Sequence, residues 1–125
     1  MKEGEYSEVK DLFEIQFFES LYKKLPNDKK VLSILAELYT SSGEIDKGLK
    51  LDEKLVKMDP ADACAYYNLA CSYSLKNRLN EAMEALRQAV SLGYRDFKWM
   101  LEDADLESLR CSVSFKGFLD DLGIV

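Results

Sequence analysis

The sequence predicts an all-α fold in which antiparallel helix pairs repeat along the chain to form an α-α superhelix. Two observations lead to this prediction. Two prolines, Pro26 and Pro60, lie 34 residues apart, and a period of this length is typical of helical repeats. The apolar residues that follow each proline are spaced by three and four positions, which is the spacing of one face of a helix.

The windows 29–62 and 63–96 match position by position over this period. In each window, the apolar residues of a first helix are followed by a polar break, "TSSGE" or "SLKNR", and then by a second amphipathic run. Each window is therefore predicted to be a helix–turn–helix hairpin. Nine aligned pairs agree in size and character: Leu32 with Tyr66, Leu35 with Leu69, Ala36 with Ala70, Tyr39 with Tyr73, Gly43 with Asn77, Ile45 with Leu79, Gly48 with Ala82, Leu49 with Met83 and Leu55 with Ala89.

The ends of the predicted helices are marked by residues with special backbone preferences. Gly43 and Asn77 occupy matching positions in the two breaks, and these residue types tolerate the left-handed conformation that ends a helix. Asp59 and Pro60 predict the start of the next helix, with the aspartate as its cap and the proline at its first position.

Small residues lie where the two helices of each hairpin would cross most closely. Ala36 pairs with Gly48 in the first window, and Ala70 pairs with Ala82 in the second. A larger side chain at any of these positions would push the two helices apart. We therefore expect close contact between the helices at these positions, with the side chains buried.

The second window resembles the tetratricopeptide repeat family. Its sequence "YYNLACSYSLKNRLNEAMEALRQAV" carries the aromatic, leucine, small, tyrosine and alanine landmarks of that family at Tyr66, Leu69, Ala70, Tyr73, Ala82 and Ala89. The first window departs from the family pattern at Asp52, where the family normally has a large apolar residue. Leu51 and Leu55 flank this aspartate, so the rotation of the helix is left open by one residue.

Helical segments are predicted on both sides of the two windows. Residues 7–25 are similar to the second helix of a further repeat whose first helix is missing, with a broad apolar stripe at positions 9, 12, 13, 17, 18, 21, 22 and 25. Residues 97–125 resemble the segment that follows the last repeat in many bacterial members of the family. We expect two or three short helices there, since the ends of a solenoid need capping. The whole chain, 1–125, is predicted to be a single tetratricopeptide-like domain.

The composition argues against several classes of function. The net charge is −6 and the pI is about 4.7, which is unfavourable for nucleic acid and for anionic membrane surfaces. The sequence has no histidine, which removes the commonest general base and most zinc sites. No apolar run is long enough for a membrane span, and residues 1–11 lack the features of a signal peptide. The expectation is a cytoplasmic, non-enzymatic protein without cofactor or metal.

Two groups of residues raise the question of a chemical site, and both have a structural interpretation. Cys64 and Cys71 are two helical turns apart, beyond the reach of a disulfide, and all three cysteines are expected to be reduced thiols with a packing role. The acidic stretch 102–105 lacks the glycine and alternating ligands of a calcium loop. It is expected to cap a short helix. Trp99 and Phe97 are expected to lie in the core of the C-terminal segment.

The resemblance implies where a partner would bind. In this family the first helix of each hairpin lines a concave groove, and its groove positions correspond here to Lys30, Ser33, Glu37 and Ser41 and to Cys64, Tyr67, Asn68, Cys71 and Leu75. The leading hypothesis is a non-catalytic module that binds a peptide or partner protein in this groove. The alternative is a structural subunit, such as a homodimer or a complex scaffold, that assembles through Phe17, Phe18 and Tyr22 on the N-terminal helix. The groove residues also have a structural interpretation, a solvated helix face without a ligand. An enzyme is the third hypothesis, and the sequence offers no enclosed pocket of converging polar groups for it.

Overall fold

The structure is a computed structural model that describes the backbone of residues 3–124 and the side chains of residues 11–124. Within residues 3–124 every regular element is helical, and no strand is present. The chain divides into two compact units, Met1–Met58 and Asp59–Val125. The helices are α1 (Glu3–Lys24), α2 (Lys29–Ser41), α3 (Ile45–Met58), α4 (Ala63–Leu75), α5 (Leu79–Ser91), α6 (Phe97–Glu102), α7 (Glu107–Arg110) and α8 (Val113–Leu122), with a 3-10 turn at Ala104–Leu106.

In the first unit, α2 packs against both α1 and α3. The core of this unit includes Leu32, Leu35 and Leu55, whose side chains are at most 3% exposed. Burying a leucine of this kind contributes about 1.5–3 kcal/mol relative to leaving it exposed. The α2–α3 crossing is close, since a Cβ built on Gly48 would lie 2.5 Å from Oγ1 of Thr40. The expected close contact is therefore present in the first hairpin.

The second unit contains the second hairpin and the C-terminal segment, which we call the cap (residues 97–124). Helix α4 packs against α5, and the 3-10 turn and α7 of the cap pack against α4. Ala70 and Ala82 are completely buried, as expected for the crossing of two helices. The buried apolar residues of the cap are Met100, Leu106, Leu109, Phe115 and Phe118.

Backbone conformation confirms the predicted break in each hairpin. Gly43 has a φ of 92° and Asn77 a φ of 60°, and Asn77 is the one non-glycine residue with positive φ among those the structure describes. In both loops the chain closes with equivalent backbone hydrogen bonds, from Glu44 N to Tyr39 O and from Arg78 N to Tyr73 O. The 34-residue period thus extends to the backbone geometry of the turns.

The predicted helix start at Asp59 and Pro60 is wrong by three residues, although the helix does begin at the first residue of the window 63–96. Helix α4 begins at Ala63, and its cap is Asp62, whose carboxylate accepts a 3.2 Å hydrogen bond from Ala65 N. Asp59 and Pro60 lie in the preceding turn, which closes through a bond from Asp62 N to Asp59 O. A second aspartate in "DPAD" competes for the cap, and the one farther along the chain takes it. Asp28, 34 residues earlier, caps α2 in the same way.

The N-terminal helix is longer than predicted and is covered on only part of the predicted apolar stripe. Helix α1 begins at Glu3 rather than at residue 7, and position 9 of the expected stripe lies outside the described side chains. Among the described side chains of α1, only Ile15 is buried. Glu19, one turn later, accepts a 2.6 Å hydrogen bond from the hydroxyl of Tyr39 on α2. The side that faces α2 is therefore partly polar. Of the predicted stripe, Phe18, Leu21 and Tyr22 are half-buried, whereas Leu12, Phe13, Phe17 and Leu25 are exposed.

The ambiguity at Asp52 is resolved by burial of both neighbouring positions. Leu51 is 6% and Asp52 4% exposed, and Leu55 is 3% exposed. Asp52 is one of the few charged residues in the core, and it is partnered there. A carboxylate is retained in a buried position only when polar contacts offset its loss of hydration. Helix α3 is therefore rotated so that Asp52 faces the core together with Leu51 and Leu55.

The predicted all-α fold of helical hairpins is confirmed. No helix in the described part of the chain is both long and apolar enough to span a membrane. The expectation of a single domain over 1–125, with internal boundaries at 7–25, 29–62, 63–96 and 97–125, stays a prediction, because the division into two compact units does not address it.

Candidate functional site

The face of α4 that was expected to meet a partner meets the cap instead. The hydroxyl of Tyr67 donates a 2.7 Å hydrogen bond to Oδ2 of Asp103, and the thiol of Cys71 donates to the same oxygen at 3.7 Å. Tyr67, Cys71 and Asp103 are 5%, 6% and 6% exposed. The three side chains form a buried polar cluster that joins the second hairpin to the cap.

The position of Asp103 is determined by contacts within the cap. Its other carboxylate oxygen, Oδ1, accepts a 3.0 Å hydrogen bond from Asp105 N and so caps the 3-10 turn. The guanidinium of Arg110 donates to the backbone oxygens of Met100 and Asp103, at 3.0 and 2.6 Å. These bonds tie the turn between α6 and α7 to the rest of the cap. The carboxylate is thereby presented to α4 with both oxygens engaged.

An aromatic contact completes the cluster. The rings of Tyr67 and Tyr94 are stacked, with 4.3 Å between their centroids and 6° between their planes. Tyr94 follows the end of α5, where its amide donates to Ala89 O. Stacked rings of this kind contribute about 0.5–1.5 kcal/mol beyond their burial. Tyr67 is thus held by a hydrogen bond at its tip and by a ring along its face.

Burial governs the protonation of this cluster. Loss of solvation raises the pKa of Tyr67 above its ordinary value, and the hydrogen bond to Asp103 raises it further. The pKa of the Cys71 thiol is raised by burial first and by the charge of Asp103 second. The pKa of Asp105 is raised by its partial burial and then by the charge of Asp103. Tyr67 and Cys71 are therefore hydrogen-bond donors at neutral pH, and Cys71 is a poor nucleophile.

Cys71, Asp103 and Asp105 also have potential metal-ligand atoms within 4.8 Å of one another. Oδ2 of Asp103 already accepts hydrogen bonds from Tyr67 and Cys71, and a thiol must lose its proton before it binds a metal. The raised pKa of Cys71 opposes that loss. The arrangement therefore has the chemistry of a structural hydrogen-bond cluster. The absence of a cofactor or metal remains a prediction from the sequence.

The predicted groove residues divide into exposed and buried sets. On α2 all four predicted residues are exposed: Lys30, Ser33, Glu37 and Ser41. On α4, Asn68 and Leu75 are exposed and Cys64 is open to solvent, whereas Tyr67 and Cys71 are buried. The expectation that Tyr67 and Cys71 face an open groove is therefore wrong, because the cap covers them. Binding of a partner by any of these residues stays a prediction.

The prediction for the acidic stretch 102–105 is confirmed, whereas the prediction for its aromatic neighbours is wrong. Asp103 caps the 3-10 turn, which confirms the capping role expected for this stretch. Trp99 was expected in the core, but it is 51% exposed, and Phe97 is only half-buried. Met100 fills the core position of α6 instead.

Sequence reasoning missed one feature of the core and one of the surface. It did not connect Asp103 with Tyr67, since the two are 36 residues apart and no repeat position relates them. On α1 it named Phe17, which is 54% exposed, as an assembly residue, but it did not single out Leu12 and Phe13, which are 57% and 70% exposed. Phe18 and Tyr22 are half-buried.

One family model and two known proteins match parts of this sequence. A family model described as tetratricopeptide repeat matches residues 64–92. A chloroplastic protein of Arabidopsis thaliana is 35% identical over 112 residues, which are 86% of this chain and 33% of that protein. "Rhomboid protease GluP" of Bacillus subtilis (strain 168) is 40% identical over 76 residues, 61% of this chain and 14% of that protein. The chain thus spans a third or less of these two relatives.

Two crystal structures share the fold over most of this chain. One, of MamA, has a TM-score of 0.65 at 26% identity and covers 87% of this chain and 66% of its own. Another, of MamA protein, has a TM-score of 0.64 at 25% identity and covers 85% and 60%. Helical hairpins with a 34-residue period, small residues at their crossings and a helical cap define a helical-repeat protein. Residues 64–92 are a tetratricopeptide repeat, and the chain has the fold of tetratricopeptide-like helical-repeat proteins. This fold is in general a non-catalytic module for protein interaction or scaffolding.

Proposed function

We propose that this chain is a non-catalytic module that binds a peptide or partner protein through the open faces of the first helix of each hairpin, α2 and α4. These are the faces that line the concave groove in the tetratricopeptide family. On α2 the contact residues are Ser33 and Glu37, and on α4 they are Asn68, Cys64 and Leu75. The mode of binding is an extended peptide or a helix laid against preformed helices.

The observation that carries the proposal is the exposure of Ser33 and Glu37 on a well-anchored helix. Leu32, Leu35 and Ala36, which alternate with them along α2, are at most 3% exposed. The buried side chains hold α2 in place, and the exposed side chains on its other face have a defined spacing. Preformed presentation lowers the entropy lost on binding.

The two helix faces offer a partner different chemistry. The face of α2 carries a carboxylate, Glu37, and the hydroxyl of Ser33, whereas the face of α4 carries the amide of Asn68 and the apolar Leu75, which is 39% exposed. Tyr67 and Cys71 bind the cap through Asp103. In this proposal they do not contact the partner. A partner with a cationic or hydrogen-bond donor group opposite Glu37 would be favoured.

Affinity capture from the native cell tests the proposal. Glu37→Arg reverses the charge on α2, and Asn68→Arg places a bulky cation on α4. Lys50→Glu, at an exposed position of α3, is the matched control for a charge reversal outside these faces. We expect partners recovered with the wild-type chain and with Lys50→Glu to be lost with both groove variants. Recovery of the same partners with all variants would contradict the proposal.

The second candidate function is an assembly subunit that uses the exposed face of α1, and one observation favours it. Leu12, Phe13 and Phe17 are each more than half exposed, and exposed apolar patches are associated with interaction sites. In this form the face comprises Phe13 and Leu12 as well as Phe17, with Phe18 and Tyr22 at its half-buried edge. Light scattering after size exclusion tests it, because a strict monomer at high concentration excludes a homodimer.

The remaining sequence-based expectations continue as proposals. A cytoplasmic location and the exclusion of nucleic acid and membrane partners rest on charge and on sequence features alone. The net charge of −6 supports the exclusion of nucleic acid, because phosphate binding requires clustered lysine and arginine. Gel-shift measurements with single- and double-stranded nucleic acid would test this, and retarded bands at physiological salt would overturn it.

A further inference from the structure

The cap carries an apolar groove whose charged lining residues are cations. Its volume is about 570 Å³, and its walls include Leu101, Val113, Phe115, Leu119, Arg110 and Lys116. Val113 is 89% and Leu101 38% exposed, so the groove is open to a partner. The guanidinium of Arg110 is bonded to two backbone oxygens, and Lys116 is exposed. The charged residues that line the groove are thus all cations, although the net charge of the chain is −6.

Helix α1 has the complementary character. Its exposed residues Leu12, Phe13 and Phe17 are apolar, and residues 11–19, whose side chains the structure describes, include three carboxylates and no lysine. Phe13 and Phe17 are one helical turn apart, so their rings project from the same side of the helix. An acidic helix with two projecting aromatic rings matches an apolar groove with cations in its lining.

We propose that α1 of one copy of this chain docks in the cap groove of a second copy, so that copies associate head to tail. Phe13 and Phe17 enter the groove against Val113 and Leu101, and the acidic segment of α1 lies near Lys116 and Arg110. The inference rests on the assembly function proposed above and names the partner of the α1 face.

Charge distinguishes this arrangement from a symmetric dimer. Pairing two α1 faces would bring two acid-rich segments together, and pairing two cap grooves would bring cations together. Like charges that face each other across an interface are strongly unfavourable. The head-to-tail contact joins opposite charges and also covers apolar surface on both sides. Because the two faces differ, the contact is heterologous, and copies join into rings or open chains whose mean mass rises with concentration.

Two blocked variants test the inference, and each changes only exposed residues. The head variant, Phe13→Asp with Phe17→Asp, blocks the α1 face. The tail variant, Val113→Asp with Lys116→Glu, blocks the cap groove. The control, Met58→Asp with Lys50→Glu, makes the same kinds of change at exposed positions of α3. Circular dichroism verifies that every variant is folded.

Sedimentation velocity supplies the readout. We expect the mean mass of the wild-type chain and of the control to rise above the monomer mass of 14.3 kDa as concentration increases. Each blocked variant alone stays monomeric. An equimolar mixture of the two forms a one-to-one complex of twice the monomer mass and grows no further, since one intact face of each kind remains. Raising the salt concentration weakens the association, because exposed charges are screened.

Three outcomes would overturn the inference. A wild-type chain that is monomeric throughout excludes both the inference and assembly through a homodimer. A tail variant that associates as the wild type does excludes the cap groove, yet it leaves assembly through α1 in place. A mixture of the two blocked variants that stays monomeric shows that the two faces do not bind each other. None of these outcomes bears on partner binding by α2 and α4, which the affinity capture tests separately.

Discussion

The hydroxyl of Tyr67 donates a 2.7 Å hydrogen bond to the carboxylate of Asp103, across 36 residues of sequence. This bond joins α4 to the cap at a site where both side chains are buried. Tyr67, expected from its repeat position to face outward, is therefore a structural contact. The exposed surface of α4 is smaller by the area that Tyr67 and Cys71 would otherwise present.

Removal of the Tyr67 hydroxyl is expected to destabilise the second unit. In Tyr67→Phe the buried carboxylate of Asp103 loses its shortest hydrogen bond, and bonds to charged groups contribute about 1.5–3 kcal/mol. The ring and its stacking on Tyr94 are kept. We expect the free energy of unfolding, measured with urea, to fall by an amount in that range. Tyr66→Phe, at the half-buried neighbouring position, is the control, and an equal effect of both changes would show that the bond to Asp103 is not the cause.

The close crossing of α2 and α3 predicts opposite effects of one substitution at two glycines. At Gly48 a new Cβ would lie 2.5 Å from Thr40 Oγ1 and 3.1 Å from Ala36 O, so Gly48→Ala is expected to destabilise the chain by about 1–3 kcal/mol through overpacking. At Gly117 in α8 a Cβ meets nothing within 4 Å. Gly117→Ala is therefore expected to stabilise the chain by about 0.5–1 kcal/mol, the usual preference for alanine within a helix.

Thermal and urea unfolding of the two variants measure these effects. Thr40→Ala in the Gly48→Ala background removes the nearer of the two clashing atoms, and it should recover part of the loss. If Gly48→Ala stabilises the chain as Gly117→Ala does, the helices separate at low cost, and the crossing is not closely packed.

The three cysteines are expected to react with thiol reagents in two classes. Cys64 and Cys111 are exposed and Cys71 is buried, and burial raises the pKa of the Cys71 thiol. Since the thiolate is the reactive form, a chromogenic disulfide should modify Cys64 and Cys111 rapidly in the native chain. Cys71 should react only when the chain unfolds. The Cys64→Ser/Cys111→Ser variant isolates it, and rapid native labelling of that variant would show that the cap opens readily.

The pH dependence of stability at Asp105 has a defined sign. Its pKa is raised in the folded chain from the ordinary value of 3.8, so the folded state holds the proton more tightly than the unfolded state. The protonated Asp105 carboxyl therefore stabilises the folded chain at pH values below its pKa in the unfolded state. This stabilisation is lost as the pH rises through its pKa in the folded state. At neutral pH the ionised carboxylate is therefore unfavourable, first because it is partly buried and second because it lies near the charge of Asp103.

Asp105→Asn is expected to raise the melting temperature at neutral pH. The advantage over the wild-type chain should shrink as the pH falls below the ordinary range for aspartate, because the wild-type carboxyl is then protonated. Glu102→Gln, at an exposed position in the same stretch, controls for the change in net charge. A gain that is independent of pH, or a loss at neutral pH, would contradict this account.

Several parts of the candidate site followed from the repeat pattern and the resemblance to the tetratricopeptide family. The outward placement of Ser33, Glu37 and Asn68 was expected from their repeat positions, and none of the three is buried. The burial of Tyr67 and Cys71 was not expected, because the repeat pattern describes a hairpin flanked by further hairpins. In this chain a cap follows the second hairpin, and Asp103 satisfies the polar groups that would otherwise face solvent.

The sequence by itself determined the helices, their 34-residue period and the residues at their closest crossings. These depend on local forces: helical periodicity, the backbone freedom of Gly43 and Asn77, and the small size of Ala70 and Ala82. Only the tertiary structure decided that Asp62 caps α4, that Trp99 is exposed and that Tyr67 is bonded to Asp103. These outcomes depend on contacts between distant segments or on competition between neighbouring caps. Such contacts follow from the positions of whole helices, which no local spacing specifies.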